Sequence, residues 1–281
     1  MKFYKIKSYA KINLSIRILG KLNSHLHKIE SLVSFIDLHD VIFIKEYKKN
    51  IHKIKFSGKF SKGIQKNNTI SKLLKFLDEK KKLNNKKYFI KEKKNIPQKS
   101  GMGGGSMNAS SILRYFLTKK KIVLSKKEIK KITNKIGSDV IIGMEKGPLI
   151  ISENSIEKKI KKKFIFELLL IKPNFGCSTK DIYKNIENFS KTTLKKKTIN
   201  LNKFYLPDLK NDLEIPAFKK YPKLKMMKLF MKNLNKNLFV RMTGSGSTLV
   251  CYFGSKNAAI NAQKILKKKY KNYWCILSKT I

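Results

Sequence analysis

A cluster of glycines at residues 101–105 constrains the fold of this chain more than any other feature of its sequence. Four of the 14 glycines stand within these five positions. The segment before them, 87–96, has the pattern of a strand and meets Pro97, and the segment after them has helical spacing from about Ser106. The helical stripe consists of Ala109, Ile112, Leu113, Phe116 and Leu117. The sequence therefore predicts a strand, a glycine-rich turn and a helix in succession.

This succession is typical of an anion-binding site. Backbone N–H groups point outward at a helix N-terminus, and the helix dipole favours negative charge there. Glycine suits such a turn because it adopts positive φ and has no Cβ to hold phosphate oxygens away. A flexible loop without a ligand is the alternative, but the glycine density favours the phosphates of a nucleotide.

The three commonest phosphate loops do not match this turn. The dinucleotide pattern GxGxxG fails because Ser106 stands where the third glycine belongs. The pattern GxxxxGK[ST] is absent, and so are the HRD and DFG triplets of protein kinases.

The first part of the chain alternates between apolar and polar residues from Ile6 to Ile18, which predicts a strand. Lys11 and Asn13 lie on the same side of this strand, about 7 Å apart. A polar loop is expected over 20–28, then strands at 31–36 and 41–45 joined by a short turn at 38–40. A helix is predicted over 69–77.

Two further features are ambiguous on the sequence alone. Asp139 lies in a short apolar segment, where an aspartate is either a helix cap or turn residue or a catalytic carboxylate. A second small Gly/Ser turn, at 243–247, precedes a strand at 248–253 and is either a hairpin turn or a ligand loop. A buried strand is predicted at 164–171, and we place a domain boundary near residue 153.

The charge of the chain is strongly positive, with 65 Lys and Arg against 18 Asp and Glu and a net charge of +47. Arginine occurs only at Arg17, Arg114 and Arg241, so 62 of the basic residues are lysine. The lysine clusters are spread along the whole chain. A coding bias acting on a solvated surface explains this excess of lysine better than a surface that binds phosphates. A phosphate-binding surface should use arginine, whose guanidinium can donate two hydrogen bonds to one partner. Both readings remain open.

The length of 281 residues suits one large domain or two ordinary ones, and a hydrophobic content of 41% is enough for a packed core. No apolar run reaches the roughly 20 residues of a membrane span. The N-terminus lacks the apolar stretch of a signal peptide. Cys177, Cys251 and Cys275 show no spacing of a disulfide framework or zinc site. We therefore expect a cytoplasmic protein with no membrane partner and no specific nucleic-acid partner, either a monomer or a weak homodimer.

Three separated segments resemble the GHMP small-molecule kinases. They are Ala10-Lys11-Ile12-Asn13-Leu14, PQKSGMGGGSMNA at 97–109, and Met242-Thr243-Gly244-Ser245-Gly246. The AKINL opening and the triple-glycine loop are most similar to the branch that phosphorylates 4-diphosphocytidyl-2-C-methyl-D-erythritol. His27, the segment Asn211-Asp212-Leu213-Glu214 and the segment Ile171-Lys172-Pro173 add to the resemblance, which spans nearly the whole chain.

The resemblance implies an α+β fold of two domains. Residues 1–152 would form a ribosomal-protein-S5-like domain with the phosphate loop and the catalytic residues, and 153–281 a ferredoxin-like domain. The implied reaction is ATP-dependent phosphorylation of the 2-hydroxyl of the cytidine-diphosphate substrate, in non-mevalonate isoprenoid biosynthesis, with Mg²⁺. A homoserine or mevalonate kinase is the alternative within the family, and a lysine-rich nucleic-acid-binding protein on this fold is the alternative outside it.

The resemblance also assigns roles to residues. Asp139 would take the proton of the attacking hydroxyl, with Lys11 beside it. Asn68 and Lys94 would lie near the adenine. Asn13, His27, Thr179 and Tyr183 would bind the substrate, His27 and Tyr183 holding the cytosine. The ATP phosphates would be wrapped by Pro97, Gln98, Lys99, Ser100, Gly101, Met102, Gly103, Gly104, Gly105, Ser106 and Met107.

The match departs from the family pattern at several positions. Lys99 and Ser100 stand where small residues are usual, and Met107 replaces a serine. Leu26 stands where an aromatic residue commonly stacks on the cytosine, so weaker cytidine binding is expected.

Overall fold

The computed structural model describes residues 2–22, 27–153, 155–161, 164–194 and 205–281. The chain divides into two compact units, each built from several segments. The first comprises Met1–Ala10, Leu38–Gln98 and Gly103–Lys146, and the second Lys11–Asp37, Lys99–Met102 and Gly147–Ile281. Because these segments alternate along the chain, the units do not follow the expected division into 1–152 and 153–281, which stays a prediction.

Two long strands begin the chain and pass through both units. They are β1, Tyr4–Lys21, and β2, His27–Tyr47. The predicted turn at 38–40 does not occur, because β2 is continuous through it. Asp40 is buried in this strand, and its Oδ1 accepts hydrogen bonds from the N–H groups of Asn95 and Ile96, at 2.7 and 2.9 Å. Asp40, which the sequence suggests as a turn residue, therefore accepts hydrogen bonds from the backbone of the segment that follows β4. Leu26 and residues 23–25 of the predicted polar loop lie outside the described residues, while residues 20–21 and 27–28 are strand.

The first unit packs helices against one face of a small sheet. Its further elements are β3, Lys53–Ser57; α1, Thr69–Glu79; β4, Lys87–Lys93; α2, Gly104–Thr118; α3, Lys126–Ile136; and a 3₁₀ turn at Ile142–Met144. β4 pairs antiparallel with 41–47 of β2 and parallel with β3. Ile42, Ile44 and Ile90 of the strands pack with the apolar stripes of the three helices in one core. The helical spacing that predicted α1 is confirmed by Leu73, Leu74 and Leu77, which are buried.

Local sequence explains where these helices begin. Asn68 caps α1, where its Oδ1 accepts from the N–H groups of Ile70 and Ser71. Ser125 and Glu128 form a capping box at the start of α3. By contrast, α2 begins two residues before the predicted Ser106, with Gly103 at its N-cap in the left-handed conformation.

The second unit contains a four-stranded antiparallel sheet and four helices within the described residues. Its elements are β5, Leu149–Ser152; β6, Ser155–Lys159; β7, Glu167–Lys172; α4, Thr179–Lys184; a 3₁₀ turn at Leu206–Asp208; α5, Glu214–Lys220; α6, Pro222–Lys232; β8, Asn237–Met242; β9, Leu249–Phe253; α7, Lys256–Lys269; and β10, Trp274–Lys279. The sheet order is β10-β7-β9-β8. β5 pairs with 30–33 of β2 and with β6. The 243–247 turn joins the antiparallel neighbours β8 and β9, so its interpretation as a hairpin turn is confirmed.

No helix in the described part of the chain is both long and apolar enough to cross a bilayer.

Candidate active site

The start of α2 is open to an anion. Gly103 has φ +66° and makes no side-chain cap, and the first turn of the helix carries no acidic residue. The first N–H groups of an α-helix have no partner within the helix, so they are available to a ligand here. A Cβ on Gly104 would lie 3.1 Å from Ile96, and one on Gly105 would lie 3.2 Å from Oγ1 of Thr69. The glycines thus allow close packing as well as an anion site.

Residues 99–102, at the start of the glycine-rich turn, belong to the second unit and are held there by hydrogen bonds and a close backbone approach. Gly101 has φ +75°, and a Cβ on it would lie 2.0 Å from the carbonyl oxygen of Thr243. Oγ1 of Thr243 donates to the carbonyl of Gly101 at 3.3 Å, and the N–H of Lys11 donates to the carbonyl of Met102 at 3.2 Å. The turn at 243–247 therefore meets the glycine-rich turn directly, which neither segment reveals by itself.

The other residues predicted to wrap phosphates differ in exposure. Lys99 is exposed with φ +49°, and Ser106 is half-buried, whereas Pro97, Ser100, Met102 and Met107 are buried. The amide of Gln98 donates to the backbone carbonyls of residues 60 and 62, at 2.9 and 2.8 Å. Its side chain is thus bonded to a neighbouring loop of the first unit.

Lys94 is the centre of a buried charged cluster in the first unit. Its Nζ contacts Oδ2 of Asp40 and lies 2.9 Å from Oε1 of Glu92, and Asn108 on α2 donates to both carboxylates. Burial raises the pKa of Glu92 to about 7, against the opposing effect of Lys94. Burial alone would lower the pKa of Lys94, but Glu92 and Asp40 outweigh it and raise that pKa. The cluster links β2, β4 and the first turns of α2.

Asn108 and Asp40 of this cluster were not among the predicted site residues. Asn108 stands within the triple-glycine motif, but its partners come from distant strands, so no local pattern points to them. Asn68, the other residue predicted near the adenine, has its side-chain oxygen engaged in the α1 cap, and its Nδ2 donates to the carbonyl of Gln65 at 3.0 Å.

Lys11 and Asn13 lie together, as the strand alternation predicts. Nζ of Lys11 donates to Oδ1 of Asn13 at 2.8 Å, and both residues are buried. Nδ2 of Asn13 donates to Oγ of Ser31 at 2.8 Å, while its backbone N–H donates to Oγ1 of Thr243 at 3.1 Å. These bonds fix the Asn13 amide, which in turn orients the ammonium of Lys11.

Asp139 lies in the first unit, half-buried, in the turn that follows α3. Gly137 ends the helix, and the N–H of Val140 donates back to its carbonyl at 3.0 Å. Ser110 of α2 donates its hydroxyl to the carbonyl of Val140 at 2.5 Å, so the backbone beside Asp139 is anchored to the helix that starts at the glycine-rich turn. Asp139 therefore lies in a turn, which is one of the two alternatives that the sequence leaves open, and its catalytic role stays a prediction.

The predicted substrate residues form two contacts in the second unit. The rings of His27 and Tyr183 have centroids 5.1 Å apart, tilted by 47°. Burial, together with the charge of Lys21, lowers the pKa of His27 and favours the neutral imidazole. Thr179 and Ser245 share a hydrogen bond of 2.8 Å between their hydroxyls. Ser245 was part of the resemblance but was not predicted as a site residue.

Known proteins resemble this chain in sequence. The family description "GHMP kinases N terminal domain" matches residues 68–150. A protein of Pelagibacter ubique named 4-diphosphocytidyl-2-C-methyl-D-erythritol kinase is 55% identical over 284 residues, covering 100% of each chain. This chain belongs to the GHMP kinase family. Family membership implies that this kinase uses ATP.

Solved structures show that this kinase also has the fold of the family. A crystal structure of 4-(cytidine 5'-diphospho)-2C-methyl-D-erythritol kinase matches with a TM-score of 0.78 at 18% identity, covering 99% of this chain and 100% of the other. Homoserine kinase from Cytophaga hutchinsonii matches with a TM-score of 0.72 at 16% identity, covering 100% and 95%. The expected α+β GHMP fold is thereby confirmed.

Proposed function

We propose that this kinase transfers the γ-phosphoryl group of ATP to the 2-hydroxyl of 4-diphosphocytidyl-2-C-methyl-D-erythritol, in the non-mevalonate route to isoprenoid precursors. The observation that carries the proposal is the full-length identity of 55% to a kinase named for this substrate. The homoserine and mevalonate alternatives have only fold-level likeness in their favour.

Residues 97–107 would hold the phosphates of ATP. The uncapped start of α2 and the absence of acidic residues from its first turn fit a polyanion at this position. Lys99, exposed in this segment, would add positive charge. Asn68 and Lys94 would lie near the adenine. The polar ends of both side chains are already bonded within the protein. We therefore expect these residues to form part of the wall of the adenine site and not to hydrogen-bond the adenine.

Mg²⁺ would enter with ATP. The described residues include no group of three or more His, Cys, Asp or Glu placed to hold a metal ion. Kinase sites typically bind Mg²⁺ through one or two carboxylates together with the phosphates of the nucleotide. When bound, the ion neutralises charge on the phosphates.

Asp139 would act as the base. Its carboxylate accepts the hydroxyl proton while the substrate oxygen bonds to the γ-phosphorus, the bond from that phosphorus to the β–γ bridging oxygen breaks, and ADP leaves. The ammonium of Lys11, oriented by Asn13, would position the reacting groups electrostatically. His27, as a neutral imidazole, would hydrogen-bond the cytosine and Tyr183 would stack on it, while Asn13 and Thr179 bind the rest of the substrate.

We also propose that the kinase works in the cytoplasm as a monomer or a weak homodimer. Its three cysteines are buried and unpaired, as suits a reducing compartment.

The test is a coupled ATP-turnover assay on the purified kinase with Mg²⁺, comparing the cytidine-diphosphate substrate with homoserine and mevalonate. We expect turnover with the cytidine substrate alone. Asp139→Asn should lower kcat by about 10²-fold or more. The control is Glu79→Gln, an exposed carboxylate on α1, which should leave kcat unchanged. Turnover of homoserine or mevalonate alone would contradict the proposed substrate. An unchanged kcat in Asp139→Asn would show that Asp139 is not the base.

A further inference from the structure

The sheet of the first unit has a second face, opposite its helices, on which lysines and aromatic rings alternate. Strand register brings Phe43 of β2 opposite Lys91 of β4, and Lys45 of β2 opposite Phe89 of β4. On the other side of β4, Lys53 of β3 stands beside Phe89. We call this the lysine–aromatic face. It comprises Phe3, Phe43, Lys45, Tyr47, Lys53, Lys55, Phe89, Lys91 and Lys93.

The rings and the ammonium groups of this face are in contact. Nζ of Lys45 and Nζ of Lys91 each lie 4.8 Å from the ring centroid of Phe3. Nζ of Lys53 and Nζ of Lys91 each lie 5.3 Å from the ring centroid of Phe89. The ring of Phe3 in turn meets Phe43 and Phe89 edge-on, with centroids 6.4 and 5.6 Å apart.

The face is accessible and its charge is of one sign. All four aromatic residues are partly exposed, and Lys55, Lys91 and Lys93 are exposed. The positions of β2, β3 and β4 that point to this side, within the described register, carry no Asp or Glu. Glu46 and Glu92 stand at the alternate positions of β2 and β4, which point to the opposite side of the sheet. Lys87, at the end of β4, is neutralised by Asp78 at 2.7 Å and is not counted in the face.

We propose that the lysine–aromatic face binds single-stranded nucleic acid, with phosphates against the lysine ammonium groups and bases against the rings. Proteins that bind single strands without sequence preference combine a basic surface with aromatic rings on which bases stack. The face supplies both within three adjacent strands, which lie about 4.8 Å apart. The lysine spacing along the linear sequence predicts no such surface, because these residues come from segments far apart in the chain.

Two other polyanions fit the face less well. A duplex keeps its bases paired and stacked, so it cannot use the rings. A lipid surface attracts lysines too, but peripheral binding typically relies on an amphipathic helix whose apolar face enters the acyl region. Here the rings lie within a sheet and between lysines.

The first arm of the test separates this face from the general positive charge of the molecule. Binding of a fluorescent single-stranded RNA of about 12 nucleotides to the full chain is measured by anisotropy at several salt concentrations. The variant Lys45→Gln/Lys53→Gln/Lys91→Gln should weaken binding at least about 10-fold and lower the salt slope by about 2, at about 0.7 per phosphate contact. The control Lys127→Gln/Lys130→Gln/Lys131→Gln removes equal charge from exposed positions of α3 and should change the affinity less than about 3-fold.

The second arm tests stacking. Phe89→Leu keeps an apolar side chain without a ring, and we expect it to weaken RNA binding about 5-fold or more at an unchanged salt slope, as loss of a stacked base would. Phe3→Leu, which lies before β1, is the second variant in case Phe89→Leu unfolds. Thermal unfolding and ATP turnover should match the unsubstituted chain in every variant used.

Three results would overturn the proposal. Equal loss in the two lysine triples would mean that RNA adheres to charge anywhere on the surface. Unchanged RNA affinity in both phenylalanine variants would exclude stacking. Tighter binding to a duplex of the same sequence, or to vesicles of anionic lipid, with the same dependence on Lys45, Lys53 and Lys91, would assign the face to that partner instead.

Discussion

Arg241 shows what an arginine does in a chain that otherwise uses lysine. The residue is buried on β8, and its two terminal nitrogens donate to four backbone carbonyls. Nη1 donates to Leu14 at 2.5 Å and to Leu206 at 3.1 Å, while Nη2 donates to Pro207 at 3.0 Å and also to Leu209. Only a planar fork with several fixed donors can serve carbonyls on both sides, so a lysine could not replace it.

We therefore expect Arg241→Lys to lower the free energy of unfolding by about 2–3 kcal/mol, because at least two buried carbonyls lose their donor. The control is Arg17→Lys, whose guanidinium makes a partly exposed ion pair with Asp212 at 3.1 Å; its cost should stay under about 1 kcal/mol. Urea unfolding of the two variants measures the difference. An equal loss of unfolding free energy in the two variants would mean that the four carbonyls do not depend on the guanidinium of Arg241.

At the scale of elements, the proposed phosphate site would use the N-terminus of α2, which has no side-chain cap. Its N-cap glycine takes φ +66° and leaves the first N–H groups without a side-chain cap. A Ser or Asp cap would contribute roughly a few tenths of a kcal/mol more than glycine at this end, so leaving the N–H groups open for the proposed anion site costs little stability. The two helices that neighbour α2 in the first unit, α1 and α3, both begin with a capping box.

Gly103→Val tests the role of this helix end. Valine at positive φ should destabilise the fold by about 1–2 kcal/mol, and it should weaken ATP binding at least about 10-fold because Gly103 is the N-cap of the helix end proposed to hold the phosphates. The control is Gly63→Val, which makes the same substitution at φ +76°, where the added Cβ meets no atom within 4 Å. It should show a comparable loss of stability with unchanged ATP affinity, measured by thermal unfolding and titration calorimetry. Comparable ATP affinity in the two variants would remove the glycine turn from the phosphate site.

At the scale of the whole molecule, the sequence predicts features that depend on adjacent residues. It does not predict contacts between segments that are far apart in the chain. Alternation predicts that Lys11 and Asn13 share one face of a strand, and five adjacent residues predict the glycine-rich turn. Asp40 was misread as part of a turn because its partners, Asn95 and Ile96, are more than fifty positions away. The lysine–aromatic face was missed for the same reason, since strand register and not sequence distance sets which side chains meet.

The net charge of +47 has a consequence for the stability of the whole molecule. Like charges that are held close in the folded chain move apart on unfolding, so self-repulsion destabilises the compact state. Several acidic side chains in the described part of the chain, such as Glu46, Asp78 and Asp181, already form ion pairs with one or more lysines. With 18 carboxylates for 65 cations, most of the positive charge has no opposite charge to pair with.

Added salt should therefore stabilise this kinase. The Debye length falls from about 20 Å at 0.02 M to about 4 Å at 0.5 M, so repulsion between lysines is largely screened over that range. We expect a gain of at least about 1 kcal/mol, which corresponds to a rise in Tm of roughly 2–4 °C. Thermal unfolding in NaCl and KCl checks this, with an uncharged osmolyte at equal osmolality as the control. The two salts should act alike and the rise should level off at high concentration, because screening depends on ionic strength alone. A Tm that is flat or falls with salt would mean that the lysine ammonium groups are spaced widely enough for solvent to screen them without added ions.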